Sequence, residues 1–123
     1  MNKILAVLII LITSTTAFAQ GQATPTSKLS WDMSAPSLID VNEYVYKYYT
    51  DGSETGIVFP TAVTCTGTAS PFTCTTNYPA FTPGNHTITL TASNIAGESG
   101  KSNPFAFTFV VTPGIPFNIR SGG

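Results

Sequence analysis

Apolar and polar side chains alternate strictly along several short segments of the chain, most clearly from His86 to Ser93. In this segment His86, Ile88, Leu90 and Ala92 fall on one face, while three threonines and Ser93 fall on the other. Because successive side chains of a β-strand point to opposite faces of a sheet, a period of two predicts a strand with one buried and one solvated face. An Asn and small residues follow the segment, which predicts a loop.

The period of two recurs in other segments, whereas no segment after residue 19 has apolar residues at helical spacing. Further strands are predicted at 28–31, 41–49, 57–59, 63–65, 72–75 and 104–111, with turn residues between them. One sheet could not enclose the many aromatic side chains of these strands, but two packed sheets could. The pattern therefore predicts an all-β fold, an antiparallel two-sheet sandwich of about seven strands. Its predicted core contains Trp31, Tyr44, Tyr46, Ile88, Leu90 and Phe107.

The first 19 residues have the three-part layout of a secretory signal peptide. Lys3 precedes an apolar run from Ile4 to Ile12, and Ala17 and Ala19 take the −3 and −1 positions of a cleavage site. The apolar run is too short for a hydrocarbon core of ~30 Å, so an uncleaved membrane anchor is only the alternative. Cleavage leaves about 100 residues, which is one domain. We therefore expect a secreted protein, extracellular or periplasmic, with no membrane insertion after cleavage. Its parts are the signal peptide 1–19, a short segment 20–27, the domain 28–112 and a tail 113–123.

The composition is poor in charge and rich in strand-forming residues. Charged residues make up 9% of the chain and the net charge is −1 at pH 7, so no nucleic-acid partner is expected. The hydrophobic share of 42% is not that of a disordered chain. The two cysteines, Cys65 and Cys74, would meet an oxidising compartment after export. A disulfide between them is therefore predicted, with two buried free thiols as the alternative.

Three stretches of sequence resemble a fibronectin type III domain, over about residues 28–111. They are LSWDMSAP at 29–36, VNEYVYKYY at 41–49 and FTPGNHTITLTASNIAGES at 81–99. The resemblance implies an immunoglobulin-like sandwich with a structural corner after Pro83 and Gly84, where the tyrosine of the family donates a hydrogen bond back to the backbone. His86 stands near the position of that tyrosine here. We therefore expect His86 to be structural and to make the corresponding bond.

The first strand of the family is shortened in this sequence, because the segment before Leu29 contains few strand-forming residues. The tail from residue 113 reads like the linker and opening strand of a following repeat. We expect this tail either to fold back along the edge that the short first strand leaves vacant or to stay unpaired.

No catalytic or metal site is predicted. The chain has one histidine and no Gly-x-Ser-x-Gly elbow for a nucleophile, and its His and Cys residues are too few for zinc. The carboxylates of Asp51 and Glu54 are expected to be solvated in a turn rather than to bind calcium. The stretch IAGESGKS at 95–102 lacks the first glycine of a phosphate-binding loop and lies between two strands. We therefore expect no enzyme activity and no cofactor.

Two surfaces are candidates for binding. By the resemblance, the loops at one end of the sandwich form a recognition surface. Their candidate residues are Asp32, Pro36, Ser70, Gly97, Glu98 and Lys101. The second surface is the tyrosine-rich strand, where Tyr49 is expected to be exposed and able to stack on a sugar. The sequence thus predicts a secreted non-catalytic module for protein binding, adhesion, display or spacing, with a small carbohydrate-binding module of the same fold class as the alternative.

Overall fold

The computed structural model describes residues 21–122, and this part of the chain contains nine β-strands and one short helix. The helix α1 (Leu38–Glu43) lies between the second and third strands. In chain order the strands are β1 (Gly21–Ala23), β2 (Lys28–Met33), β3 (Val45–Thr50), β4 (Ile57–Val58), β5 (Thr64–Thr66), β6 (Phe72–Asn77), β7 (Gly84–Asn94), β8 (Gly97–Glu98) and β9 (Phe105–Phe109). The predicted signal peptide, residues 1–19, lies outside the described residues.

The strands form two sheets that pack against each other. The larger sheet has the order β1-β9-β7-β3-β4, and β8 pairs with the end of β7. The smaller sheet has the order β2-β6-β5. The pairing of β1 with β9 is parallel, and the others are antiparallel. The predicted all-β two-sheet sandwich is therefore confirmed.

The predicted core residues share one interior between the sheets. Tyr46, Ile88 and Phe107 are buried in it, and Trp31, Tyr44 and Leu90 pack against it while partly buried. The ring of Trp31, from the smaller sheet, meets the ring of Tyr46, from the larger sheet, at a centroid distance of 5.3 Å. The period of two in β2, β3 and β7 is thus the reason that these rings face each other.

The disulfide between Cys65 and Cys74 is present and links β5 to β6 within the smaller sheet. The two residues are directly opposite each other, with Cα atoms 3.9 Å apart. The hydroxyl of Tyr46 lies 3.6 Å from the Sγ of Cys65 and donates a hydrogen bond of 2.6 Å to the carbonyl of Val41. Burial, and to a lesser extent the neighbouring Tyr44, raises the pKa of Tyr46 to about 12. The phenol therefore stays neutral and acts as a donor in the core.

The helix α1 was not expected. The prediction of no helix after residue 19 is wrong at this point, and the strand predicted at 41–49 begins only at Val45, because residues 41–43 belong to α1. Its six residues are too few to show a period of 3.6. A local signal was nevertheless present, because Ser37 caps the first turn and its Oγ accepts a hydrogen bond of 3.1 Å from the N–H of Asp40. Val41 is the buried residue of the helix. No helix in residues 21–122 is long and apolar enough to cross a membrane.

The N-terminal segment forms a strand, whereas the described tail does not. Residues Gly21–Ala23 form β1 and cover the edge of β9, although this segment has few strand-forming residues, because Ala23 fills a fully buried position. Val110 still donates to the carbonyl of Ala23 at 2.8 Å, but beyond it the described tail contains no strand. Of the two expectations for the tail, the unpaired one holds in residues 113–122.

Candidate functional site

The outer side of β2 is an open sheet edge, since no strand in residues 21–122 pairs with it. The hydrogen-bond pattern shows which groups face that edge. The backbone N–H and C=O of Cys65 both bond to the side chain of Asn42, at 2.8 and 3.0 Å, and so point away from β6. The opposite residue, Cys74, therefore turns its backbone groups toward Trp31 of β2. It follows that Ser30 and Asp32 present their N–H and C=O groups to the open side.

The backbone groups at the two outer edges of the smaller sheet thus differ in whether they have hydrogen-bond partners. At β5 the side-chain amide of Asn42 satisfies the donor and acceptor of Cys65 and ends the sheet. At β2 no described side chain plays this role for Ser30, whose Oγ is instead paired with the Oγ1 of Thr75 across the sheet at 3.0 Å. An unpaired edge is a template for pairing with another strand.

A groove of about 580 Å³ runs along this open edge. Its floor is apolar and consists of core residues, among them Leu29, Trp31, Tyr46 and Leu90. Its rim is polar and comes from Lys28 and Asp32 of β2 on one side and from residues 99–103 on the other; Phe105, 45% exposed, also lines it. A cleft with an apolar floor, a few polar groups and this volume is typical of a ligand site.

The far wall of the groove is held in place by serine hydroxyls. The pairing of β9 with β7 ends at Ile88, so residues 99–103 no longer follow strand geometry. Ser102 Oγ accepts a hydrogen bond of 2.9 Å from the N–H of Leu90, and Ser99 Oγ accepts one of 3.0 Å from the N–H of Ala92. These bonds satisfy β7 without a continuous partner strand. As a result, no described strand pairs with β7 between Ile88 and Ser93 on the side of the groove, and the groove stays open.

The predicted loop residues are all exposed, but the structure does not bring them into one surface. Asp32 lies in β2 rather than in a loop, and with Lys101 it lines the groove. Ser70 belongs to the loop end, where its Oγ accepts a hydrogen bond of 3.2 Å from the N–H of Ala35, next to Pro36. Gly97 starts β8 at the tip of the hairpin from β7, and Glu98 belongs to a cluster on the outer face of the larger sheet, which the Nζ of Lys101 also reaches.

That outer cluster includes Tyr49, and the expectation that Tyr49 is exposed is wrong. The side chain is only 8% exposed. Its hydroxyl donates a hydrogen bond of 2.6 Å to Oε1 of Glu98, which accepts a second one of 2.6 Å from Thr91. These bonds lower the pKa of Glu98. The Nζ of Lys101 lies 4.4 Å from the centroid of the Tyr49 ring. Gly56 also packs closely against this ring, because a Cβ added to Gly56 would lie only 2.6 Å from it. The ring is therefore covered and offers no free face to a sugar.

His86 makes the backward hydrogen bond that the corner predicts. Its Nε2 lies 2.7 Å from the carbonyl oxygen of Thr82, and Gly84 between them has a φ of 124°, a conformation that favours glycine. Sequence reasoning missed the second partner of His86, which is Asp51. The Nδ1 of His86 lies 2.8 Å from Oδ2 of Asp51, a carboxylate that had been expected to be solvated. Both partners are acceptors, and only the protonated imidazole can donate from both nitrogens. The bonds to Asp51 and Thr82 accordingly raise the pKa of His86.

We expect this corner to make stability depend on pH. The bond to His86 and the N–H of Thr87 lower the pKa of Asp51, so its contribution is present above about pH 4 and is lost as the pH falls through its folded pKa. The contribution of His86 is present below about pH 6.5 and is lost as the pH rises through its raised pKa. The pair thus stabilises most in mildly acidic solution. Because Asp51 is half exposed, the loss on raising the pH should stay below about 1 kcal/mol.

Urea unfolding at several pH values between 5 and 9 measures this dependence. His86→Gln is the matched variant, because the amide keeps a donor but does not titrate in this range. The free energy of unfolding should fall with rising pH in the original protein and fall less in His86→Gln. Equal pH slopes in both proteins would show that the imidazolium does not stabilise the fold.

Comparison with known proteins adds no family to these observations. No protein-family model matches the chain, and no curated protein matches it with significant similarity. In residues 21–122 no group of three or more His, Cys, Asp or Glu side chains could hold a metal ion. The candidate site therefore rests on geometry: an apolar groove beside an open strand edge in a two-sheet β-sandwich.

Proposed function

We propose that this chain is an exported, non-catalytic module of fibronectin type III type that binds protein, and that it binds through the groove beside β2. One observation carries the proposal. The backbone N–H and C=O groups of Ser30 and Asp32 face an apolar groove with no strand of the described chain to bond them. An extended peptide that adds to such an edge gains main-chain hydrogen bonds, while its alternate side chains enter the groove.

The family and the export are supported by separate features. The motif at 29–36 covers β2 and the loop after it, and the motif at 81–99 covers the turn before β7, β7 itself and β8. The motif at 41–49 covers β3 only from Val45, because residues 41–43 lie in α1. The backward bond from His86 to Thr82 stands where the corner of that family is expected. The buried disulfide suits an oxidising compartment, as does the signal-like segment 1–19.

The carbohydrate-binding alternative depended on an exposed Tyr49, and no observation now favours it. The hydroxyl of Tyr49 is used by Glu98, and its ring is covered by Lys101. The floor of the groove is apolar, and the polar groups that characterise it are the unpaired backbone N–H and C=O groups of Ser30 and Asp32. We therefore propose one function, protein binding.

Selection of extended peptides from a random display library tests this function. Peptides with alternating apolar side chains should be enriched and should change the fluorescence of Trp31, the single tryptophan, which lines the groove. Ser30→Pro removes an N–H on the open side while leaving the pairing with β6, so it should weaken binding at least about tenfold, the effect of losing roughly one buried hydrogen bond.

Ser30→Ala is the matched control, because it removes the same hydroxyl and keeps the N–H. It should bind the selected peptides as the original protein does. Thermal unfolding of both variants checks that the fold is retained. Peptides that bind Ser30→Pro and Ser30→Ala equally well would place the binding surface away from β2 and contradict the proposal, as would a selection that yields no binding peptide.

A further inference from the structure

The tail carries three large apolar side chains that the protein leaves in solvent. Ile115, Phe117 and Ile119 are 87–91% exposed, and they alternate with Pro116 and Asn118. The described part of the tail contains no strand or helix. Apolar side chains of this size gain free energy when they are buried, and their period of two is that of a strand with one apolar face. The tail therefore has the sequence of a strand but, in the described residues, no sheet to join.

The groove beside β2 has the complementary properties. β2 has six residues, and an extended segment from 115 to 119 spans on the order of 15 Å, so the two lengths match. The open edge offers the backbone groups of Ser30 and Asp32, and the floor offers apolar contacts from Trp31 and Leu90. An added strand needs both, one for its backbone and one for its inward side chains.

Pro116 is compatible with a strand at this place. The N–H groups of alternate residues in an antiparallel strand point to opposite edges. Residues 115, 117 and 119 can therefore bond to β2 while Pro116 faces outward, where its missing N–H is not needed. Asn118 has a φ of 56° in the structure and would have to become extended on pairing. A proline on the outer side also discourages further strand addition.

The tail is better placed to enter the groove of a second copy than its own. Val110 donates to the carbonyl of Ala23, so the tail leaves the domain beside β1, at the end where the chain turns into β2. To fill its own groove it would have to cross this turn and run parallel to β2, the slightly weaker arrangement. The tail of a second copy can approach from the other end and pair antiparallel.

We propose that residues 115–119 of one copy add as a strand to the open edge of β2 in a second copy, with Ile115, Phe117 and Ile119 directed into the groove. The proposal names the partner for the surface described under the proposed function and therefore rests on it. The tail and the groove beside β2 are different surfaces of the same copy, so the contact is heterologous. Successive contacts join copies head to tail, and reciprocal exchange between two copies gives a closed dimer.

Analytical ultracentrifugation of the whole purified protein over a wide concentration range tests the self-association. Phe117→Asp places a charge at the central apolar position and should weaken association on the order of 10- to 100-fold. Ile95→Asp is the matched control, because Ile95 is fully exposed in the hairpin between β7 and β8. It should associate as the original protein does. A protein that stays monomeric up to millimolar concentration would overturn the proposal, as would equal association of both variants.

Hydrogen exchange locates the contact and separates the two possible sources of the tail. The amides of Ser30 and Asp32 should become protected as the concentration rises, and a synthetic peptide of residues 113–123 should protect them in the Phe117→Asp protein. Protection that is complete in a monomer would mean that the tail fills its own groove, and it would overturn the inference. If library peptides bind beside β2 but the tail peptide does not, the inference fails and the proposed function stands; if neither binds, both fail.

Discussion

Phe107→Ala is expected to lower the free energy of unfolding by about 3–5 kcal/mol, the usual loss for a buried aromatic side chain. The side chain is 0% exposed and lies at the centre of an aromatic cluster. The rings of Tyr78 and Phe81 meet it edge-on at centroid distances of 5.3 and 4.9 Å, and His86 lies 5.9 Å away. These rings belong to different segments and cannot all move into the cavity. Since small domains are stable by about 5–15 kcal/mol, a large share of the stability should be lost.

Urea unfolding followed by Trp31 fluorescence measures this loss. Phe117→Ala is the matched control, because the same side chain is removed from a position that is 87% exposed. Measured in dilute protein, where association does not contribute, it should change the free energy of unfolding by less than about 0.5 kcal/mol. Similar losses in the two variants would mean that Phe107 is not the centre of the interior.

The strands were predictable because burial in a sandwich imposes a period of two on each of them. Leu90 in β7 and Tyr46 in β3 stand at alternating positions and both reach the interior. The same rule identifies Phe107 in β9. The pattern reports only which face is buried, and it does not report what lies on the opposite face. Thr91 was assigned to a solvated face, yet it is buried there under the cluster of Tyr49 and Glu98.

The features that the sequence did not predict depend on contacts between distant residues or on very short segments. Asp51 and His86 are 35 positions apart, and no local sequence pattern in either segment predicts the contact between them. The strand β1 has only three residues, and its place is decided by parallel pairing with β9. The helix α1 is shorter than two turns and is recognisable only from the cap at Ser37.

Two features of the groove were predictable from the sequence. The few strand-forming residues before Leu29 indicate that one strand of the sandwich is incomplete, and the tail has the sequence of an opening strand. Neither observation located the open edge, because β1 goes to the larger sheet and leaves the outer side of β2, opposite β6, without a partner strand in the described chain. Only the three-dimensional arrangement brings Asp32 and Lys101 to the rim of one cavity.

Loss of the disulfide is the second large effect that we expect. Replacing both Cys65 and Cys74 by alanine should lower the free energy of unfolding by about 2.5–3 kcal/mol. The cross-link closes a loop of about ten residues, and in the chain-entropy model a loop of this length restricts the unfolded chain by that amount. The two cysteine residues are 3% and 0% exposed. A reductant should therefore act slowly on the folded protein and much faster in urea.

Two measurements separate the causes of this loss. Reduced original protein keeps both sulfurs beside the Tyr46 hydroxyl and lacks only the cross-link, whereas the double alanine variant also lacks the packing of the sulfurs. Urea unfolding should give reduced protein a loss close to the chain-entropy value and the double variant a loss at least as large. If reduced and oxidised protein unfold at the same urea concentration, the cross-link does not stabilise the fold. In that case the packing of the interior around Phe107, and not the cross-link, stabilises the fold. Phe107→Ala should then lower the free energy of unfolding of the oxidised and the reduced protein by the same amount.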